Sequence, residues 1–228
     1  MSKIVRAAVV AIVALLLIGN SGGVQAAESP ALNAEILHLA LGWEHVKFQV
    51  ENRDEQEKQM AVLAEHAADI EQRYQGRPEA TIWVGIITSE QSSMASENGS
   101  PLKALGLAKR ARDILEKVEK IDPASVDAGA PTSLGVLYYR VPGFPIGFGD
   151  KSKARHYLQE AITNAPNGLD ANYFYADFLY EQHEYPEAVR VLKHALSLPA
   201  HPERPIWDQS RRQVIQELLA KMPSNAQP

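Results

Sequence analysis

The chain has 228 residues, 45% of them hydrophobic and 22% charged, a formal net charge of −5 and no cysteine. The acidic balance disfavours nucleic acid and anionic membrane surfaces as partners, and the missing cysteines exclude disulfides, thiolate chemistry and attachment through a lipidated cysteine. A chain of this length and apolar content can bury one continuous core, so a single domain is expected.

Lys3 and Arg6 precede an apolar run over residues 7–18, and Gly19, Asn20, Ser21, Gly22 and Gly23 then lead to Val24-Gln25-Ala26, with small residues where a signal peptidase reads. That order is the order of a secretory signal peptide, assigned to residues 1–26. The apolar run falls short of the roughly 20 residues of a bilayer span, so no stable membrane insertion is expected. Cleavage after Ala26 takes away Lys3 and Arg6 and leaves the mature chain more acidic still. The expected location is the periplasm.

Over residues 32–50, Ile36, Leu39, Ala40, Trp43, Val46 and Val50 fall three or four apart and predict a helix. After a break at 52–54, Met60, Leu63, Ala64, Ala67, Ile70 and Tyr74 carry the same period to a Gly76-Arg77-Pro78 stop. A third helix is predicted from about Glu79 through Trp83, Ile86 and Ile87, ending in a polar, serine-rich loop over residues 92–100. A fourth carries Leu107, Ala111, Leu115 and Val118 on one face and ends before Pro123.

Beyond it the chain repeats. Ala154, Leu158 and Ala161 recur as Ala188, Leu192 and Ala195, at the interval of about 34 residues that belongs to stacked helical hairpins. Each set runs to a proline, Pro166 or Pro199. Ala111 and Leu115 open the same register at a longer distance before Ala154, so the middle unit holds an insertion. The step from Gly135 to Ala154 is longer than the equivalent step from Ala176 to Ala188, which puts most of the extra residues between Tyr138 and Ala154. Small residues at these positions let two helices approach closely.

Leu134-Gly135-x2-Tyr138, followed by Ala-x3-Leu-x2-Ala and proline, resembles the tetratricopeptide repeat (TPR). The resemblance implies an all-α, TPR-like solenoid of stacked antiparallel hairpins, with units at 79–123, 124–166 and 169–199 in one domain over 27–222. The opening helix of the first unit has no clean Leu-Gly-x2-Tyr. The segment 206–222, with Val214, Leu218 and Met222 on one stripe and Arg211, Arg212 and Lys221 off it, reads as a C-terminal capping helix, and 223–228 as a tail. A closer resemblance lies in Ser133-Leu-Gly-Val-Leu-Tyr-Tyr139, in Val141-Pro-Gly-Phe-Pro-Ile-Gly-Phe-Gly-Asp150 and in Asn167-Gly-Leu-Asp-Ala-Asn-Tyr-Phe-Tyr175. These look like the T component associated with tripartite ATP-independent periplasmic (TRAP) transporters. That resemblance implies an exported repeat protein whose partner is a periplasmic solute-binding protein, and it allows a homo-oligomer. The family's best-known member is lipid-anchored, and this chain departs from it in having no anchoring cysteine.

Two groups of residues are candidates for binding. In the loop over 142–149, Phe144, Ile146 and Phe148 alternate with glycine and proline, and read either as a lip that contacts a ligand or as a plug for the gap made by the insertion. Tyr173, Asp177 and Tyr180 lie off the packing face of their helix, and the TPR resemblance places them, with Thr132, Val136 and Tyr139 one unit earlier, on the concave groove; packing between adjacent helices is the alternative. The short basic run Lys109, Arg110 and Arg112 reads as a solvated face.

No catalytic group is visible. Gly147-Phe-Gly149 before Lys151-Ser152 lacks the spacing of a phosphate loop, and Asp150 stands where a helix N-cap belongs. The Gly-x-Ser-x-Gly pattern at 19–23 lies within the signal. His38, His45, His66, His156, His183, His194 and His201 form no metal-ligand spacing, so neither metal nor cofactor is expected. The sequence thus reads as a periplasmic TPR-type adaptor for a protein partner or extended ligand, not an enzyme. The alternative is a periplasmic small-molecule binding or carrier protein.

Overall fold

The computed structural model describes residues 29–223, so the signal-peptide assignment and all but Pro223 of the assigned tail lie outside the described residues. Among them are nine α-helices: α1 (Pro30–Gln49), α2 (Arg53–Arg73), α3 (Pro78–Glu97), α4 (Pro101–Glu119), α5 (Ser125–Arg140), α6 (Lys151–Asn164), α7 (Leu169–Glu181), α8 (Tyr185–Ser197) and α9 (Pro205–Ala220). None is long and apolar enough to cross a membrane. Local chemistry sets their starts. Proline stands in the first turn of α1, α3, α4, α8 and α9, where its missing N–H is no loss. Side-chain caps come from Asn52, which accepts from Glu55 N at 3.0 Å, and from Asp150, which accepts from Ser152 N at 2.8 Å and Lys153 N at 3.1 Å.

The fold is an all-α, TPR-like solenoid. Hairpins α3–α4, α5–α6 and α7–α8 stack in series, with α1 and α2 before them and α9 after. The repeated register forms the core: Ala111, Leu115, Ala154, Leu158, Ala161, Ala188, Leu192 and Ala195 are all at 0% exposure. Leu158 and Leu115 pack where the facing helix is thinnest. A Cβ on Gly135 would lie 2.5 Å from Leu158 Cγ, and one on Gly85 2.5 Å from Leu115 Cδ2. Gly85 is therefore the first unit's counterpart of Gly135, hidden in the sequence because it stands so far ahead of Ala111. The interval from thin point to alanine shortens along the stack, from Gly85–Ala111 through Gly135–Ala154 to Ala176–Ala188. The first interval is long because α3 and α4 run further past the crossing, and the second is longer than the third because the connection over 141–150 replaces the short turn over 182–184.

The longest interval corrects the predicted serine-rich loop over 92–100. Helix α3 runs on to Glu97, and only Asn98, Gly99 and Ser100 turn the chain, with Gly99 at φ 74°. Serine is tolerated there because Ser92 Oγ donates to Ala104 O of α4 at 2.8 Å and buries with Met94 and Ala95.

At the start of α5, Val126, Asp127 and Ala128 form a left-handed turn with φ between 50° and 57°. Such a conformation costs roughly 1–2 kcal/mol per L-residue, and is rarest for a β-branched one such as Val126. The right-handed helix begins after it, which puts Pro131 in its first turn.

Helix α9 does more than cap. Besides α7 and α8 it touches α1, so the end of the solenoid returns to its beginning. Trp207 N donates to Glu44 Oε2 at 2.8 Å, a bond between the two ends of the described chain. Arg212 fixes the other side, donating to Leu196 O, Leu198 O and Pro199 O at the end of α8 at 3.2, 3.0 and 2.8 Å.

Candidate functional site

Closure of α9 onto α1 encloses a cavity of about 690 Å³ inside the curve of the solenoid. Helices α1, α3, α4, α5, α7 and α9 and the loop over 141–149 contribute to its wall. Exposed residues of the lining, Glu97, Leu102, Pro142 and Ile146 among them, mark the mouth. Ser89, Ser92, Ser93 and Ser96 of α3 line one side.

The buried end is aromatic and cationic. All three tryptophans of the chain line it: Trp43 from α1, Trp83 from α3 and Trp207 from α9. The Arg204 guanidinium lies 4.5 Å from the ring of Trp207 and 5.9 Å from the rings of both Trp43 and Trp83. Burial pushes its pKa down, with Asp170, Glu44 and Asp127 working against that. Glu44 Oε2 lies 3.9 Å from Arg204 Nε. Arg211, 4% exposed, pairs with Asp170 at 2.6 Å and lies over the rings of Tyr173 and Phe174, at 4.4 and 4.8 Å. Trp207 Nε1 donates to the other Asp170 oxygen at 3.1 Å. Lys47 and Glu90 form a further pair on the wall.

The predicted site residues separate. Thr132 and Val136 line the cavity. Tyr139 and Asp177 bond each other, the Tyr139 hydroxyl donating to Asp177 Oδ2 at 2.5 Å, and Arg140 joins Asp177 to Glu181 at 2.6 Å from the latter. This cluster ties α5 to α7. Burial, with Asp177 beside it, pushes the Tyr139 hydroxyl pKa well up. Tyr173 lies beneath Arg211 and touches Phe174, a lining residue, while Tyr180 packs on Tyr185 with ring centroids 5.7 Å apart.

The loop divides its aromatics. Phe148 packs edge-on against Tyr138 at 5.4 Å and under Arg112 at 4.6 Å, whereas Phe144 is 93% exposed and Ile146 69%. Glycine is required at two points: a Cβ would fall 1.9 Å from Val141 O at Gly149 and 2.4 Å from Pro142 O at Gly147. The tight loop turns Ile146 to the cavity mouth. Sequence reasoning missed Trp207, Arg204 and the inward Arg211. The signal available was that an arginine four residues from a tryptophan shares its helix face.

Among the described residues, no three His, Cys, Asp or Glu side chains are placed to hold a metal ion. The cavity offers stacking surface, a desolvated guanidinium and hydroxyls: the equipment of a binding site.

Residues 146–204 match the family model of the tetratricopeptide repeat. The match runs from the end of the loop through α6, α7 and α8 and stops before α9. This family is a scaffold of protein–protein interaction, so a TPR-type match supports a protein partner. No curated protein matches the chain.

Proposed function

We propose that this protein is an exported, TPR-type adaptor that docks a protein partner at the mouth of its internal cavity. The observation that carries this reading is the cluster of exposed apolar side chains there: Leu102 at 86%, Ile146 at 69% and, beside Ile146 on the same loop, Phe144 at 93%. Aromatic and aliphatic groups held out on a tight loop are the usual anchors of a protein interface. Export rests on the signal-like residues 1–26. The resemblance of the loop and its flanks to the TRAP-associated T component makes a periplasmic solute-binding protein the most specific partner.

The test is site-specific photo-crosslinking in cells, with a photoreactive phenylalanine analogue in place of Phe144 or Phe148. A discrete adduct to one envelope protein from position 144, and none from 148, is the expected result. Absence of any adduct from 144 counts against the adaptor reading. The second reading, a small-molecule carrier, is favoured by the enclosure itself, because about 690 Å³ lies within the range of roughly 300–1,000 Å³ for ligand pockets.

A further inference from the structure

We infer that the cavity binds a small organic acid, with its carboxylate at Arg204 and an apolar or aromatic body against the tryptophans. The inference starts from the hydrogen bonds that the cavity wall leaves unmade. Among its lining residues, the buried polar atoms without a hydrogen-bond partner are Trp43 Nε1, Trp83 Nε1, Thr132 Oγ1, Arg204 Nε and Nη2, Arg211 Nε and Asp170 Oδ1. The last two lie 2.6 Å apart as an ion pair and answer each other. Thr132 can donate or accept. What remains on the lining itself is indole and guanidinium N–H, all of it donor, while Glu44 Oε1, a buried acceptor without a partner, lies off the lining. A ligand that completes this wall must bring acceptors, since buried donors left unpaired cost free energy.

Arg204 indicates which acceptor. Its side chain donates no hydrogen bond among the described residues, and its ion-pair contact with Glu44 is long at 3.9 Å. A guanidinium is planar and matches the two oxygens of a carboxylate. Glu44 already gives Oε2 to Trp207 N, so it does not saturate this fork. One under-coordinated guanidinium, with Arg211 and Lys47 already paired, suits a monoanion better than a phosphate. The body of the ligand follows from the neighbours: three indole rings around Arg204, with Leu169 and Phe174 close by in the wall. Serines nearer the mouth leave room for hydration there.

This inference rests on the cavity being a binding site and is independent of the partner proposed for its rim. Because all three tryptophans line the cavity, emission excited selectively at tryptophan, apart from the eight tyrosines, reports on it alone. The probes are 4-phenylbutyrate and its neutral isostere 4-phenylbutanamide, titrated by fluorescence and by calorimetry. The acid is expected to bind at least tenfold more tightly than the amide, and Arg204→Gln to abolish that preference with helical circular dichroism unchanged. Arg204→Lys keeps the charge and guards against a folding defect: it should bind the acid more weakly than the parent and still prefer it to the amide. Equal binding of acid and amide, a preference surviving Arg204→Gln, or no binding of either probe at millimolar concentration overturns the assignment. Tighter binding of a peptide ending in the same phenyl carboxylate would overturn the small-molecule class. A partner still crosslinked from Phe144 after such a failure leaves the adaptor reading standing, which separates the two.

Discussion

Glu44 of α1 accepts the backbone N–H of Trp207 in α9 at 2.8 Å, and this bond closes the solenoid. Glu44 is fully buried, its second oxygen has no hydrogen bond, and Arg204 is its cationic neighbour. Glu44→Ala would leave an amide and a guanidinium uncompensated, a loss of about 2–4 kcal/mol. Glu44→Gln keeps an acceptor for Trp207 and should cost less. Urea unfolding followed by tryptophan emission measures both, and a red-shifted native emission in the alanine variant would report that α9 has come away from α1. An unshifted emission with parental stability would mean that the bond does not hold the closure.

The thin points of the hairpins differ in what a methyl group would meet. At Gly135 an added Cβ would lie 2.5 Å from Leu158 Cγ and 3.3 Å from the Leu158 backbone nitrogen, so the helices themselves must part. Overpacking of about 1–3 kcal/mol then outweighs the gain of up to about 1 kcal/mol from replacing glycine in a helix. At Gly85 the contacts are with the Leu115 side chain alone, but they include its Cγ at 2.6 Å and that side chain is fully buried, so it has little room to give way. At Gly106 nothing lies within 4 Å. Chemical denaturation should therefore rank Gly106→Ala above the parent and both Gly85→Ala and Gly135→Ala below it, with Gly135→Ala the lowest. A Gly135→Ala variant as stable as Gly106→Ala would contradict the close approach of α5 and α6.

Glu35 links α1 to α2. Hydrogen bonds from Arg73, one of them 2.7 Å from Nη1, and from the Tyr74 hydroxyl at 2.9 Å bring its pKa from 4.5 down to about 2. The unfolded chain takes up this proton near pH 4.5 and the folded chain only near pH 2, so the cluster favours folding fully above 4.5 and loses that contribution as pH falls toward 2. The melting temperature of Glu35→Gln should fall below that of the parent at neutral pH, and the gap should narrow over this acidic window. A gap that stays constant down to pH 2 would show that the carboxylate charge is not what links the helices.

How much of this was legible depended on whether the partners of a residue lie within its own repeat. Ala154, Leu158, Ala188 and Leu192 meet partners in the same hairpin, so their period stood in the sequence and all four are at 0% exposure. Arg211 was read as lying off the apolar stripe of its helix, yet it is buried because Asp170, Tyr173 and Phe174 arrive from α7. The end of α3 was misplaced because isolated serines favour loops, whereas here the Ser92 hydroxyl is bonded to a carbonyl of α4. The cavity was invisible for the strongest form of the same reason: Trp43, Trp83 and Trp207 stand far apart in the chain and meet only when the two ends of the stack do.

Asp177 lies 8% exposed with hydrogen bonds from Tyr139 and Arg140. Asp177→Ala should destabilise by about 1–3 kcal/mol, because the Tyr139 hydroxyl loses its acceptor, whereas the half-exposed Arg140 keeps Glu181. A double-mutant cycle with Arg140→Ala should show coupling of about 0.5–3 kcal/mol. Additive losses would mean that the two side chains do not act on each other.

The loop permits a sharper division between stability and binding. Phe148 fills the space between Tyr138 and Arg112, so Phe148→Ala should cost about 2–3 kcal/mol, less than a fully buried phenylalanine because the site is half-buried. Phe144 touches little and is 93% exposed, so Phe144→Ala should leave stability within about 0.5 kcal/mol. If the rim docks a partner, Phe144→Ala should weaken recovery of that partner at unchanged melting temperature. Phe148→Ala should lower the melting temperature and affect recovery only as far as the loop loosens. Reversal of this pattern, with Phe144 controlling stability and Phe148 controlling recovery, would place the docking surface where Phe148 meets Arg112 of α4 and Tyr138 of α5, away from the cavity mouth.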